Sequence, residues 1–147
     1  MTGIIVGVDG SDHSRHAFRW AMHEAVLRHA PLTVMTVRPA PARPATMSFW
    51  GLRTLPDGDS SQEQARRAVQ EFADKAASGT GETAPQVTVN VTTGEPAEEL
   101  IIASRDADML VLGSRGSGGF IRLLLGSVSS QVVHHAACPV VVIPRAR

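Results

Sequence analysis

The 147-residue sequence predicts an α/β domain of the doubly wound type, a parallel sheet with helices on both faces. Three observations carry that expectation. Short β-branched runs alternate with longer stretches of helical spacing along the chain. Strands separated by helices cannot pair as hairpins, so they run parallel through right-handed crossovers. The length suits one domain rather than two, because a single core serves roughly 100–200 residues, and neither an internal repeat nor a second domain is visible.

Ile4-Ile5-Val6-Gly7-Val8 is a continuous apolar run, as expected of a strand buried on both faces. Ser11 or Asp12 then caps a helix that sets Phe18, Ala21, Met22, Ala25 and His29 on one face and ends at Pro31. Leu32 to Val37 is the second strand. From Pro39 to about Ser60 the sequence is rich in Pro and Gly without periodicity, longer than an ordinary connection. Trp50 in that stretch is positioned to cover a crevice or a partner, or to tuck onto the body. Helical spacing returns from Ser61 to Ser78, with Ala65, Ala68, Val69, Phe72 and Ala76 as its apolar stripe, and Gly79 and Gly81 end it. Val87, Val89 and Val91 alternate with polar residues, as in a strand exposed on one face. Gly94-Glu95-Pro96 opens a short helix with acids in its first turn. Met109 to Leu112 is the fourth strand; a Gly-rich loop, a helix from about Ser127 to Ala136 and a last strand, Val140-Val141-Val142-Ile143, follow.

Composition narrows the function. Fourteen basic and fourteen acidic residues cancel, so there is little field to steer the chain onto nucleic acid or an acidic membrane. No apolar run approaches the roughly 18 residues of a membrane span. The start of the chain lacks the basic segment of a signal peptide, so the expected compartment is the cytoplasm. A lone Cys138 forms no internal disulfide and supplies no cysteine-based zinc site; beside Pro139 it is expected to be a partly buried, inert thiol. Charge is uneven, however. After Asp108 there is no acid, while Arg115, Arg122, Arg145 and Arg147 follow, which suits a local anion site or a basic tail.

Ligands of such sheets bind beyond the carboxyl ends of the strands, where strand order reverses. That directs attention to Asp9 to Ser11, to the residues just after Val37, and to the loop from Gly113. In the loop, Gly113, Ser114, Arg115, Gly116, Ser117, Gly118 and Gly119 lead through Arg122 to Gly126, Ser127, Val128, Ser129 and Ser130. Glycines there let backbone amides approach a ligand, and successive amides form an anion nest. A helix start at Gly126-Ser127 offers unpaired N–H groups to a phosphate. The plainer alternative is a flexible loop before a serine-capped helix. Asp9 suits ribose hydroxyls or a metal bridging to phosphate; equally, it suits an Asx turn beside Gly10 and Ser11.

Other chemistries fail on inspection. The lone lysine, Lys75, lies within a predicted helix, so there is no Walker A loop, and Val6 to Gly10 does not supply the dinucleotide glycine pattern. No serine sits in a G-x-S-x-G elbow. His23-Glu24 begins a zinc-protease pattern that Leu27 breaks, and the adjacent His134 and His135 do not share a helix face.

Gly113-x2-Gly116-x9-Gly126-Ser127 resembles the glycine motif of the ATP-binding universal stress proteins, with Val6 to Ser11 and Cys138 to Ile143 similar to that family's first and last strands. The resemblance covers nearly the whole chain and implies five parallel strands in the order 3-2-1-4-5. It implies that ATP is bound, with Asp9 at the ribose or a magnesium ion, the Val37 backbone at the adenine and Gly7 among the nucleotide-binding residues. Gly113, Ser114, Arg115, Gly116, Ser117, Gly118, Gly119, Arg122, Gly126, Ser127, Val128 and Ser129 would surround the phosphates. The function expected is that of a nucleotide-dependent stress sensor read by a regulatory partner. The alternatives are a slow ATPase, a phosphotransfer protein using Ser127 or Ser129, or a binder of cyclic AMP or another adenine nucleotide. In the implied strand order the apolar run Val140, Val141, Val142 and Ile143 lies at a sheet edge without a charge to block pairing, so an antiparallel homodimer is expected there.

Overall fold

The computed structural model describes residues 3–38, 85–114 and 125–144, together with positions 63, 66, 67, 70, 71 and 74. The loop from Pro39 to Ser60 with Trp50, most of the glycine loop (Arg115, Gly116, Ser117, Gly118, Gly119 and Arg122), Lys75 and the tail Arg145 to Arg147 lie outside the described residues.

Five strands, β1 (Ile4–Gly7), β2 (Leu32–Arg38), β3 (Val87–Thr93), β4 (Met109–Gly113) and β5 (Val140–Ile143), form one sheet. Its order is β3-β2-β1-β4-β5, and every pairing is parallel. Helices α1 (Asp12–Arg28), α2 (Pro96–Ser104) and α3 (Ser127–His135) connect them, and the described positions from 63 to 74 are also helical. The expected architecture and order are therefore present. Strand order reverses between β1 and β4, and sheets of this kind hold their ligands beyond the carboxyl ends of the strands at such a point.

Two apolar layers hold the sheet. On one face Ala17, Phe18, Ala21, Met22 and Ala25 of α1 pack on Ile4, Val6, Val34 and Val111. On the other, Ala97 and Leu100 of α2 and Val132 of α3 pack on Met35, Leu110 and Leu112. Burying one such side chain fully is worth about 1.5–3 kcal/mol, so the central strands anchor the molecule.

Local chemistry sets the helix ends. Ser11 caps α1, its hydroxyl accepting from the Ser14 N–H at 3.2 Å. His29, expected on the apolar face, instead ends α1 in the left-handed conformation (φ 53°) and is exposed. Its N–H bonds back to Ala25 and Val26, so it closes the helix rather than extending the core stripe. Pro96 occupies the first turn of α2, as its fixed φ favours. On the outer sheet edge, Arg66 donates to the Val89 carbonyl at 3.0 Å. That bond satisfies an acceptor which an unprotected edge strand would offer to another chain.

Candidate functional site

Around the switch point, the segment after β1, the end of β2 and Ser114 after β4 lie at the carboxyl ends of their strands. Asp9 follows β1 and accepts from both the N–H (2.9 Å) and the hydroxyl of Ser11. This is an Asx turn, and Gly10 supplies the positive φ (85°) that the turn requires. One Asp9 oxygen thus shapes the loop that launches α1.

The register of β2 decides what Val37 presents. The last β1–β2 ladder bond runs from the Val8 N–H to the Met35 carbonyl at 2.9 Å. Polar backbone groups on one strand edge recur every second residue, so Val37 turns its N–H and C=O to the same edge as Met35. There β1 has given way to Asp9, so these Val37 backbone groups point past the end of that strand. The buried Thr36 hydroxyl takes the Val8 carbonyl at 2.9 Å, closing the end of the ladder. Sequence reading did not single out Thr36; its one signal was a polar residue within an apolar run.

Two of the predicted glycines answer to packing. A Cβ on Gly113 would stand 3.0 Å from the His13 carbonyl oxygen and 3.1 Å from its carbon, so its bare backbone lets α1 start close to β4. A Cβ on Gly7 would meet Leu112 and Leu100 side chains at 2.7 and 3.2 Å.

The turn after β4 is organised around Ser114. Its N–H donates to Ile143 on β5 at 2.8 Å, while its carbonyl accepts from the Gly126 N–H at 2.6 Å and the Ser129 hydroxyl at 3.0 Å. Gly126 thereby becomes the residue before α3, and the first bond within that helix runs from the Ser130 N–H to the Gly126 carbonyl. The N–H groups of Ser127, Val128 and Ser129 precede that bond and are the open donors of the first turn. The Val128 side chain packs on the core and the Ser127 side chain is exposed.

The starts of the described helices differ in electrostatics. Ser11 caps α1. Glu98 and Glu99 occupy the first turn of α2. The start of α3 has neither a side-chain cap bond nor an acid. No acid of its own first turn offsets its partial positive charge. Among the described residues no group of three His, Cys, Asp or Glu gathers as a metal site. His134 and His135 are exposed. Burial first, and then the Asp108 charge, push the half-buried Cys138 thiol up, against a smaller lowering by the Leu110 backbone, a direction that disfavours the thiolate. No helix of the described residues is long and apolar enough to cross a membrane.

A model of the universal stress protein family matches residues 1–144. A universal stress protein of Mycolicibacterium smegmatis is 39% identical over 143 residues, covering 96% of this chain and 47% of that protein. One from Mycobacterium tuberculosis is 35% identical over 144 residues with the same coverage. The chain thus spans about half the length of these relatives. Among solved structures, universal stress protein UspA from Lactobacillus plantarum superposes with a TM-score of 0.74 at 26% identity, covering 97% of each chain. The universal stress protein from Archaeoglobus fulgidus in complex with dAMP gives 0.61 at 26% identity, covering 96% of each.

Proposed function

The chain belongs to the universal stress protein family, and from that premise we propose that it binds an adenine nucleotide, ATP in preference, in the crevice between β1 and β4. The observation that carries this reading is the start of α3, uncapped and free of acids at the sheet's switch point. The Archaeoglobus fulgidus relative bound to dAMP supports an adenine nucleotide as the ligand class.

The residues divide the work by their chemistry. First-turn N–H groups of Ser127, Val128 and Ser129 receive phosphate oxygens, and the exposed Ser127 hydroxyl adds a donor. The Val37 N–H and C=O offer a donor and an acceptor to the adenine edge, and Asp9 offers acceptors to ribose. Gly7, Gly113 and Ser114 form the floor. Arg115, Gly116, Ser117, Gly118, Gly119 and Arg122 supply the rest of the phosphate cradle in this reading. Magnesium arrives with the nucleotide, held chiefly by its phosphates.

The protein then acts in the cytoplasm as a nucleotide-dependent sensor, the bound state being the one that a regulatory partner reads. Hydrolysis is slow or absent, and turnover near ~10 s⁻¹, a typical enzyme rate, would overturn that part. A second reading, slow autophosphorylation, falls on Ser127 rather than Ser129, because Ser127 is exposed and Ser129 is buried.

Titration calorimetry with ATP, dAMP, cyclic AMP and GTP tests the proposal, together with mass spectrometry of nucleotide carried through purification. Saturable ATP binding that dAMP displaces and GTP does not is the expected result. Absence of binding to every adenine nucleotide by folded protein would overturn it.

A further inference from the structure

Ser129 stands within the first turn of the phosphate-facing helix, yet its side chain turns the other way. It is 4% exposed, and its hydroxyl lies 3.0 Å from the Ser114 carbonyl and 3.2 Å from the Gly126 carbonyl. A hydroxyl has a single proton to donate, so the two carbonyls share it. Ser114 is itself 6% exposed, and its carbonyl also takes the Gly126 N–H at 2.6 Å. Ser114 is tied in turn to β5 through its N–H. The end of β4 and the start of α3 are thus joined at one buried oxygen, across a sequence separation of 15 residues for the Ser129 bond.

We infer that Ser129 is a positioning residue: its hydroxyl latches the first turn of α3 to the end of β4 and makes no contact with ligand. The latch sets where the turn's open N–H groups aim. Without it, Gly126 keeps one bond to Ser114, and the helix start gains freedom to tilt. That lost order falls on the phosphate end of the site and leaves the adenine end at Val37, on another strand, untouched. The inference rests on the nucleotide reading only for this last consequence.

Two measurements test it. Amide hydrogen exchange on ligand-free protein reads the latch alone: Gly126 is expected to exchange at least threefold faster in Ser129→Ala, with Leu112 in β4 unchanged. Equal Gly126 exchange in the two proteins would overturn the latch whatever the ligand. Binding then reads its use, as the ratio of ATP to adenosine affinity. Ser129→Ala is expected to lower that ratio by roughly threefold to tenfold, the net worth of one hydrogen bond, with adenosine affinity held. Ser129→Thr, which keeps the hydroxyl, is expected to restore the ratio to within about twofold. An unchanged ratio in the alanine variant, an equal loss for both ligands, or a threonine variant that stays low would each overturn the positioning role. A wild-type protein that binds neither ligand defeats the nucleotide reading instead, and the exchange result still decides the latch.

Discussion

Gly113, proposed above for the nucleotide site, also serves packing. The atoms that a Cβ would meet there are the carbonyl and the Cβ of His13, which are fixed within the first turn of α1 and cannot swing aside. Gly7 differs, since its neighbours are the mobile ends of two leucines. Gly113→Ala should therefore cost stability by overpacking, about 1–3 kcal/mol. Urea unfolding is expected to show the midpoint falling with an unchanged slope. A midpoint equal to that of the wild type would mean that α1 yields without cost. The glycine spacing was legible in the sequence as a phosphate motif. Its packing role was not, because His13 is distant along the chain.

At the scale of elements, the three described helices with defined caps close or open their own starts by different means. Ser11 bonds the Ser14 N–H in α1, and carboxylates of Glu98 and Glu99 offset the dipole of α2. Gly126 leaves α3 open, although its backbone (φ −72°, ψ 171°) is one that any residue adopts. Gly126→Asp therefore needs no change of backbone conformation and would supply the missing cap. Two opposite effects are expected. Capping should stabilise the protein by about 0.5–2 kcal/mol, seen as a higher melting temperature. The new carboxylate should compete with and repel phosphate, weakening ATP at least tenfold, about 1.4 kcal/mol. Calorimetry showing undiminished ATP affinity alongside the raised melting temperature would move the phosphates away from α3.

For the whole molecule, the sheet's second edge raises the question of assembly. The Pro139 and Ile143 carbonyls accept from Leu110 and Ser114, so these residues and Val141 between them face β4. Val140 and Val142 turn their N–H and C=O outward, and each side chain of β5 is half-buried. Paired antiparallel about a twofold axis at Val141, two copies would each match Val140 with the other's Val142, satisfying all of those groups. Pro144 lacks an N–H and limits the ladder to that length. Val142→Pro removes an outward donor and leaves the bonds to β4 intact. Sedimentation is expected to give a dimer for wild type and a monomer for the variant at tens of micromolar. A monomeric wild type would end the proposal of a homodimer through Val140, Val141, Val142 and Ile143.

The alternation of β-branched runs and helical stretches determined the elements by itself, because strand and helix periods are written within a few neighbouring residues. The same holds for a cap at Ser11 or Asp12, which the structure gives to Ser11, for Pro96 as a first-turn residue and for Gly126-Ser127 as a helix start. Parallel pairing followed from the helical connections, since hairpins were excluded. The tertiary structure alone decided which donors remain for a ligand. Ser127 and Ser129 read alike in sequence, yet Ser127 is exposed and the Ser129 hydroxyl is committed to the Ser114 carbonyl just past β4. Asp9 was open to two readings, and the fold shows one of its oxygens in an Asx turn. Val37 acquired its outlook from the register of β2 against a strand that stops short. Each of these outcomes depends on which distant atoms come within about 3 Å, the reach of a hydrogen bond, and chain-local patterns hold no record of that distance.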